Sequence, residues 1–358
     1  MDSVKIGKIT IGKKASCFII AEAGVNHNGR LDLALKLVDA ASDAGVDAIK
    51  FQTFKAEQLT TKAGEMAEYQ KKNIGKVEPQ LEMLRKLELK EEFYEPIIKR
   101  CRERDILFLS TPHGSFEAVD FLQKLGVPAF KFSSGDLNNL SVLQYAAKFK
   151  KPMIIATGMG TMEEVREAVD CIKKTGNNKI IVLHCTTNYP CSLSEVNLRA
   201  MQTMMRELDV LVGYSDHTLG VQVSVVAANL GACIVEKHFT LDRTMPGPDH
   251  KASIEPDELK ELIEKIRKGA IEKFEKIEEI LGSYEKKPTK SETTMIKTIR
   301  KSIVSVRPIR KGEIFSRENI DIKRPGTGIE PKYYFDVLGK KAKKNIEADK
   351  LIKKSDYV

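Results

Sequence analysis

Residues 17–54 read CFIIAEAGVNHNGRLDLALKLVDAASDAGVDAIKFQTF, and they carry one complete unit of a repeating fold. Cys17–Gly24 is an apolar, β-branched run that reads as a strand. Leu31, Leu35, Val38 and Ala41 then recur on one helical face, and Gly45 is a stop signal. A second strand-like run opens at Ala48. The spacing therefore predicts strand, helix, strand.

The unit repeats along the chain. Further runs are LFLSTPH from Leu107, AFKFSSG from Ala129, PMIIATG from Pro152, IIVLHCT from Ile180, LVGYSDHT from Leu211 and CIVEKHF from Cys233. Helical stretches separate them, including TMEEVREAVDCIKKTG and EPDELKELIEKIRKGAIEKFEKIEEILG. Eight such units in about 280 residues predict an α/β fold of the (β/α)8 TIM-barrel type, usually about 250 residues long. A doubly wound open sheet is the alternative, but AEAGVNHNG after the first strand is not a G-x-G-x-x-G phosphate loop.

The barrel is expected to fill residues 1–281. GSYEKKPTKSETT reads as a polar linker over 282–293, and short strands and turns over 294–358 read as a second, small β-rich domain. Charge supports this division. Residues 282–358 hold 20 Lys+Arg against 10 Asp+Glu, so most of the net charge of +9 lies there. A basic tail can bind nucleic acid or a membrane surface. These cations are mixed with acids and lack an aromatic stacking set, which favours a solvated small domain that helps attract anions. The six scattered cysteines form no C-x-x-C pair, and the N-terminal segment lacks a signal-peptide pattern. Reduced thiols and a cytoplasmic location are expected.

In a barrel, active-site groups gather at the C-terminal strand ends. Glu22, Lys50, Gln52, Thr111, Lys131, Ser133, Ser134, Asp136, Thr157, Asn188, Ser215, Asp216, His217, Glu236 and His238 all fall there. So do all six histidines, or else they lie in the loops that follow. Lys50 and Lys131 alternate with apolar residues, and a buried lysine needs an anionic partner. A bound phosphate or carboxylate explains two such lysines better than internal pairs with Glu22 or Glu236. His217 and His238 end adjacent strands and could share Mn²⁺, Fe²⁺, Co²⁺ or Zn²⁺ in an open, catalytic arrangement, or act without metal as an acid–base pair. Taken alone, Arg324 in KRPGTG reads as a surface turn residue.

AEAGVNHNG, IKFQTF, STPH, KFSSGDLNN, ATGMGTMEEV, HCTTNYP, GYSDHTLG, EKHFTLDRTMPGPDHKAS and KRPGTGI resemble the sialic acid synthase family, in this order along nearly the whole chain. The resemblance implies a C-terminal antifreeze-like (SAF) domain and condensation of phosphoenolpyruvate with an N-acetylhexosamine, releasing phosphate by C–O cleavage. By it, His217 and His238 would bind Mn²⁺, with Mg²⁺ or Co²⁺ as alternatives, and Glu22 and Glu236 would join them as catalytic groups. Lys50, Lys131, Ser134, Thr157, Asn188 and Ser215 would hold phosphoenolpyruvate. Gln52, Thr111, Asp136, Tyr189, Asp249 and Arg324 would hold the sugar. Ala156 stands where members often carry a serine, so that donor is expected to be either absent or supplied by Thr157. The resemblance also implies a domain-swapped homodimer in which Arg324 reaches the sugar's N-acetyl group, with neither nucleic acid nor membrane as partner. SSGDLNN looks closest to N-acetylneuraminate synthases, with N-acetylmannosamine as acceptor. A legionaminate- or pseudaminate-type acceptor, a 6-phosphate acceptor and a different aldose are alternatives, and a non-catalytic anion- or nucleic-acid-binding protein is the distant one.

Overall fold

A computed structural model describes residues 1–269 and 274–358 of the chain. Its strands are β1 (Ser3–Ile6), β2 (Ile9–Gly12), β3 (Phe18–Gly24), β4 (Ala48–Thr53), β5 (Leu107–Pro112), β6 (Phe130–Phe132), β7 (Met153–Ala156), β8 (Ile180–Cys185), β9 (Leu211–Asp216), β10 (Ile234–His238), β11 (Ser302–Ser305) and β12 (Ile320–Lys323). Among the described residues, β3 to β10 form one eight-stranded sheet in the order β5-β4-β3-β10-β9-β8-β7-β6. All of its ladders are parallel. β5 and β6, at the two ends of that order, pack side by side and bring the sheet round into a barrel. The predicted TIM-type fold is observed.

Strand alternation sorts the side chains into two layers. Odd steps face the helices and even steps face the lumen. On β10, Val235 packs in the outer core, while Ile234 joins Phe18, Ile20, Ala48, Leu109, Ala129, Ile154 and Ile181 in the lumen. The N-terminal end of that lumen is closed by the β1–β2 hairpin, whose Val4, Ile6 and Ile11 belong to the same cluster. Sequence reading began the fold at Cys17 and missed this plug, because two four-residue strands carry little periodic signal.

The helix Leu31–Ala44 buries Leu33, Ala34, Leu37, Val38 and Ala41, with Leu31 and Leu35 at the edge of the packed face. Gly45 caps it at φ 93°, in the left-handed region that only glycine enters without strain. The long stretch read as one helix from Glu255 gives two, Pro256–Arg267 and Ile277–Leu281; residues 270–273 lie outside the described residues.

β11 and β12 pair antiparallel within the C-terminal segment. The expected linker is packed rather than free. A helix spans Lys290–Ile299, opened by a capping box in which Thr289 and Glu292 bond each other's backbone. Lys286 and Glu292 are buried. The polar composition suggested a linker because the partners of Glu292, the backbone N–H groups of Met159 and Thr187, lie far away in sequence. The C-terminal segment lies over the barrel mouth of its own chain. Arg324 N–H donates to Leu59 O at 2.9 Å, and Thr61 N–H donates to Arg324 O at 3.1 Å.

Candidate active site

The lumen-facing alternation continues upward with a change of chemistry. Above Ala48 comes Lys50, above Ala129 comes Lys131, and above Ile234 come Glu236 and His238. With Glu22 of β3, Thr111 of β5, Cys185 of β8, Ser215 of β9 and His217 just past it, these side chains line one cleft of about 860 Å³, partly open to solvent. Gln52, Ser134, Tyr189, Asp249 and Arg324 line it too.

Both lysines have found counter-ions. Lys50 Nζ lies 2.5 Å from Glu22 and 3.8 Å from Glu236, and donates to Thr111 Oγ1 at 3.2 Å. Lys131 Nζ lies 2.9 Å from Glu236, which also accepts from Ser215 Oγ at 3.1 Å. The internal pairing that the sequence reading ranked second therefore holds for both. An ammonium in this dry layer requires an acid whether or not a ligand is present.

The two pairs differ in character. Burial pushes Glu22 up and Lys50 down more strongly than their attraction holds them charged, so that pair leans toward sharing one proton. Burial also opposes charge on Glu236 and Lys131, but is outweighed there. Lys131 and Lys50 hold Glu236 down at about 2, and Glu236 and Glu22 keep Lys131 above the ordinary lysine range. Asp249 lies in the same cleft, and burial together with nearby Glu22 raises it to about 7.

The rings of His217 and His238 are 5.4 Å apart between centroids, and Tyr189 packs on both. His217 Nδ1 is 2.7 Å from Thr186 O, which fixes a proton there; burial opposes charge on this ring, but Cys185, 3.7 Å from Nδ1, and Thr186 O outweigh it and raise His217 above the ordinary imidazole range. Burial, with His217 beside it, holds His238 well below the ordinary imidazole range, so it is neutral, and its Nδ1 has no partner. Among the described residues no group of three or more His, Cys, Asp or Glu surrounds a metal-sized space. The two imidazoles with open positions beside them, and Glu236 Oε2, which has no hydrogen bond, nevertheless fit a divalent ion that would displace the proton from His217 and complete its shell with substrate or water.

Three of the expected site residues do not line the cleft. Thr157 Oγ1 donates to Leu183 O at 2.9 Å and is turned away, so Ala156 lines the cleft without a replacement donor. Asn188 is not a lining residue; its Oδ1 accepts from Tyr189 N–H at 3.1 Å. The neighbouring Thr187 faces the cleft instead, with a buried Oγ1 that has no partner. Asp136 lies below the wall, where Lys301 Nζ of the C-terminal segment reaches it at 2.7 Å, both residues being buried. Asp216 likewise faces outward, 2.8 Å from Lys237. Of the six histidines, His113, His217 and His238 line the cleft. His184 bonds Val196 O, His27 accepts from Gly29 N–H, and His250 contacts Thr240 and Asn28.

Sequence reading also missed the far wall. Val25, Leu59, Met83, Leu84 and Leu87 face the cleft from one hydrophobic cluster, and Tyr69 stacks on Tyr189 at 4.8 Å. Most of these residues belong to the long excursion between β4 and β5, which has no strand-end position to mark it.

The NeuB family profile matches residues 37–277, and that of the SAF domain matches residues 300–358. The chain is 46% identical to the N,N'-diacetyllegionaminic acid synthase of Legionella pneumophila over 94% of this chain and 93% of that one. To the protein of the same name from Campylobacter jejuni it is 47% identical, over 94% of this chain and 98% of that one. The crystal structure of the Bacillus subtilis spore coat polysaccharide biosynthesis protein SpsE superposes with a TM-score of 0.83 at 34% identity, covering 99% of each chain.

Proposed function

We propose, for a chain that belongs to the NeuB family and ends in a SAF domain, that its cleft joins phosphoenolpyruvate to an N-acetylated aldohexose and releases phosphate. It is a phosphoenolpyruvate-dependent nonulosonic acid synthase by family. The observation that carries the reaction is the layer of Lys50, Lys131, Glu22 and Glu236 directly beneath His217 and His238.

Lys50 and Lys131 would hold the phosphate and carboxylate of phosphoenolpyruvate, exchanging part of their contact with Glu22 and Glu236 for the incoming anion. Ser134, Thr187 and Ser215 would add neutral donors. A divalent ion on His217 and His238, Mn²⁺ in this proposal, would supply Lewis-acid polarisation of the sugar aldehyde. C3 of phosphoenolpyruvate then bonds to the aldehyde carbon, and water adds to the cationic C2. The tetrahedral carbon expels phosphate by breaking its C–O bond. Asp249, raised to about 7 by burial and Glu22, would take or return the proton that moves as water adds. Arg324, with a buried Nε that lacks a partner, would reach the N-acetyl oxygen.

The acceptor expected from SSGDLNN is N-acetylmannosamine. The 46% and 47% identities to two diacetyllegionaminic acid synthases favour a diacetamido hexose instead. The apolar wall from Val25 to Leu87 disfavours a 6-phosphate. A homodimer that exchanges C-terminal domains would reproduce between chains the contacts Arg324 makes here within one. Six free thiols support a reducing, cytoplasmic setting.

Metal-stripped protein, incubated with phosphoenolpyruvate and each sugar with and without Mn²⁺, tests the reading through phosphate and keto-acid formation. Metal-dependent formation of both, faster with the diacetamido sugar, is expected. Preference for N-acetylmannosamine would move the acceptor to the second reading, and no turnover with any aldose would sink the synthase assignment.

A further inference from the structure

We infer that the helix Lys290–Ile299, with Arg300 at its end, is a clamp on the phosphate end of the cleft, and that Glu292 is its positioning residue. The inference rests on the phosphoenolpyruvate reading above.

Glu292 lies outside the barrel sequence but is 1% exposed. Its Oε1 accepts two backbone N–H groups, from Met159 after β7 and from Thr187 after β8, each at 2.7 Å. Its Oε2 accepts from Thr289 N–H at 2.9 Å, so the carboxylate is held by its own capping box. Lys286, also buried, supplies opposite charge nearby. One side chain thus ties two barrel loops together from a third element.

The Met159 peptide is gripped from both sides. Its φ of 60° lies in the left-handed region, which is strained for a non-glycine residue and persists only where surroundings enforce it. Glu292 holds its N–H, and Arg300 Nη2 donates to its C=O at 2.8 Å while Nη1 of the same guanidinium pairs with Glu164 at 2.7 Å. Met295 and Ile299 pack on the Met159 side chain.

This grip reaches the cleft in one step. Gly158, next to Met159, donates its N–H to Ser134 Oγ at 3.0 Å. A Cβ added to Gly158 would lie 2.0 Å from Thr187 Oγ1 and 2.7 Å from Ser134 Oγ, so the three residues converge with no slack. Ser134 and Thr187 line the cleft and are two of the three hydroxyls assigned above to the anion, and Thr187 Oγ1 has no hydrogen bond. Without Glu292, two buried N–H groups lose their acceptor and both loops are free to shift.

The test compares Glu292→Ala, Glu292→Gln and Arg300→Ala with the wild type. The readouts are KM for each substrate, dissociation of inorganic phosphate by calorimetry, and thermal unfolding. Glu292→Ala is expected to raise the phosphoenolpyruvate KM and the phosphate Kd roughly ten- to a hundredfold, the loss of hydrogen bonds to a charged group. The sugar KM should stay within about threefold. Glu292→Gln keeps an Oε1 that accepts the Met159 and Thr187 N–H groups, loses only the acceptor for Thr289 N–H, and should restore part of the affinity. Arg300→Ala should shift the same constants by less.

An unchanged phosphate Kd in Glu292→Ala overturns the clamp. So does a Glu292→Gln as impaired as Glu292→Ala, since charge rather than geometry would then be the cause. Should Glu292→Ala not fold, Glu292→Asp, one methylene too short to reach both amides, is judged by the same criteria. Phosphate binding needs no turnover, so a wild type that binds phosphate without consuming phosphoenolpyruvate would sink the reaction and leave the clamp standing.

Discussion

The two ends of the barrel use the same strands and the same alternation to opposite ends. At the N-terminal end, Ile20, Ile154 and Ile181 meet the hairpin side chains Val4, Ile6 and Ile11 in a dry plug. Two residues further along the strands, Lys50, Lys131, Glu22 and Glu236 crowd into an equally buried layer. The lower layer is stable because it is apolar. The upper one persists because each charge has a partner, and its desolvation cost of several kcal/mol per ion is offset by pairing and by the core beneath it. Stability and chemistry are therefore stacked along one axis.

The sharpest way to test that division is to remove chemistry without touching stability. His217→Ala is expected to lower kcat by about a thousandfold or more, equivalent to roughly 4 kcal/mol, with Tm shifted by only a few degrees. An unfolding midpoint that falls along with kcat would break the comparison. Next comes the ionic layer itself. Lys131→Met leaves Glu236 buried with only the more distant Lys50, and is expected to cost about 3 kcal/mol of stability as well as activity. Adding Glu236→Gln should return much of that stability and none of the activity, read by denaturant unfolding alongside phosphate release. At the dry end, Ile181→Ala should cost about 2–4 kcal/mol while KM for both substrates stays put.

The smallest expected effect concerns Asp249. Its carboxyl is raised in the folded state from 3.8 to about 7, so the native protein binds a proton that the unfolded chain releases. The stability this contributes is fully present below pH 3.8 and is lost as pH rises through about 7. Asp249→Asn should flatten that part of the stability–pH curve and remove a limb near pH 7 from the kcat profile. A limb unchanged in the variant would assign the titration elsewhere.

The barrel was legible because its signal is local and repeated. Each of the eight barrel strands announces itself by a short apolar run, and its lumen-facing positions recur every second residue. Lys50, Lys131, Glu236 and His238 were picked out as strand-end residues, the two lysines also by their alternation with apolar neighbours. The strand-end reading took in Thr157 and Asn188 as well, which lie past the last strand residue, where the loop backbone rather than the strand period sets direction. Asp136 looked like a sugar ligand beside Ser134, but Lys301, a residue of the C-terminal segment, neutralises it. The plug of β1 and β2 and the apolar wall around Met83 left no pattern to read.

By itself, the sequence determined which residues alternate toward the lumen, where the helices stop and which strand ends turn polar, because those properties depend on neighbours within a few residues. Tertiary structure alone decided which charge answers which. Lys131 meets Glu236 across the barrel, Lys301 meets Asp136, and Glu292 fastens Met159 to Thr187. Such partners are about a hundred residues or more apart, and a hydrogen bond or ion pair between them exists only after the chain has closed on itself.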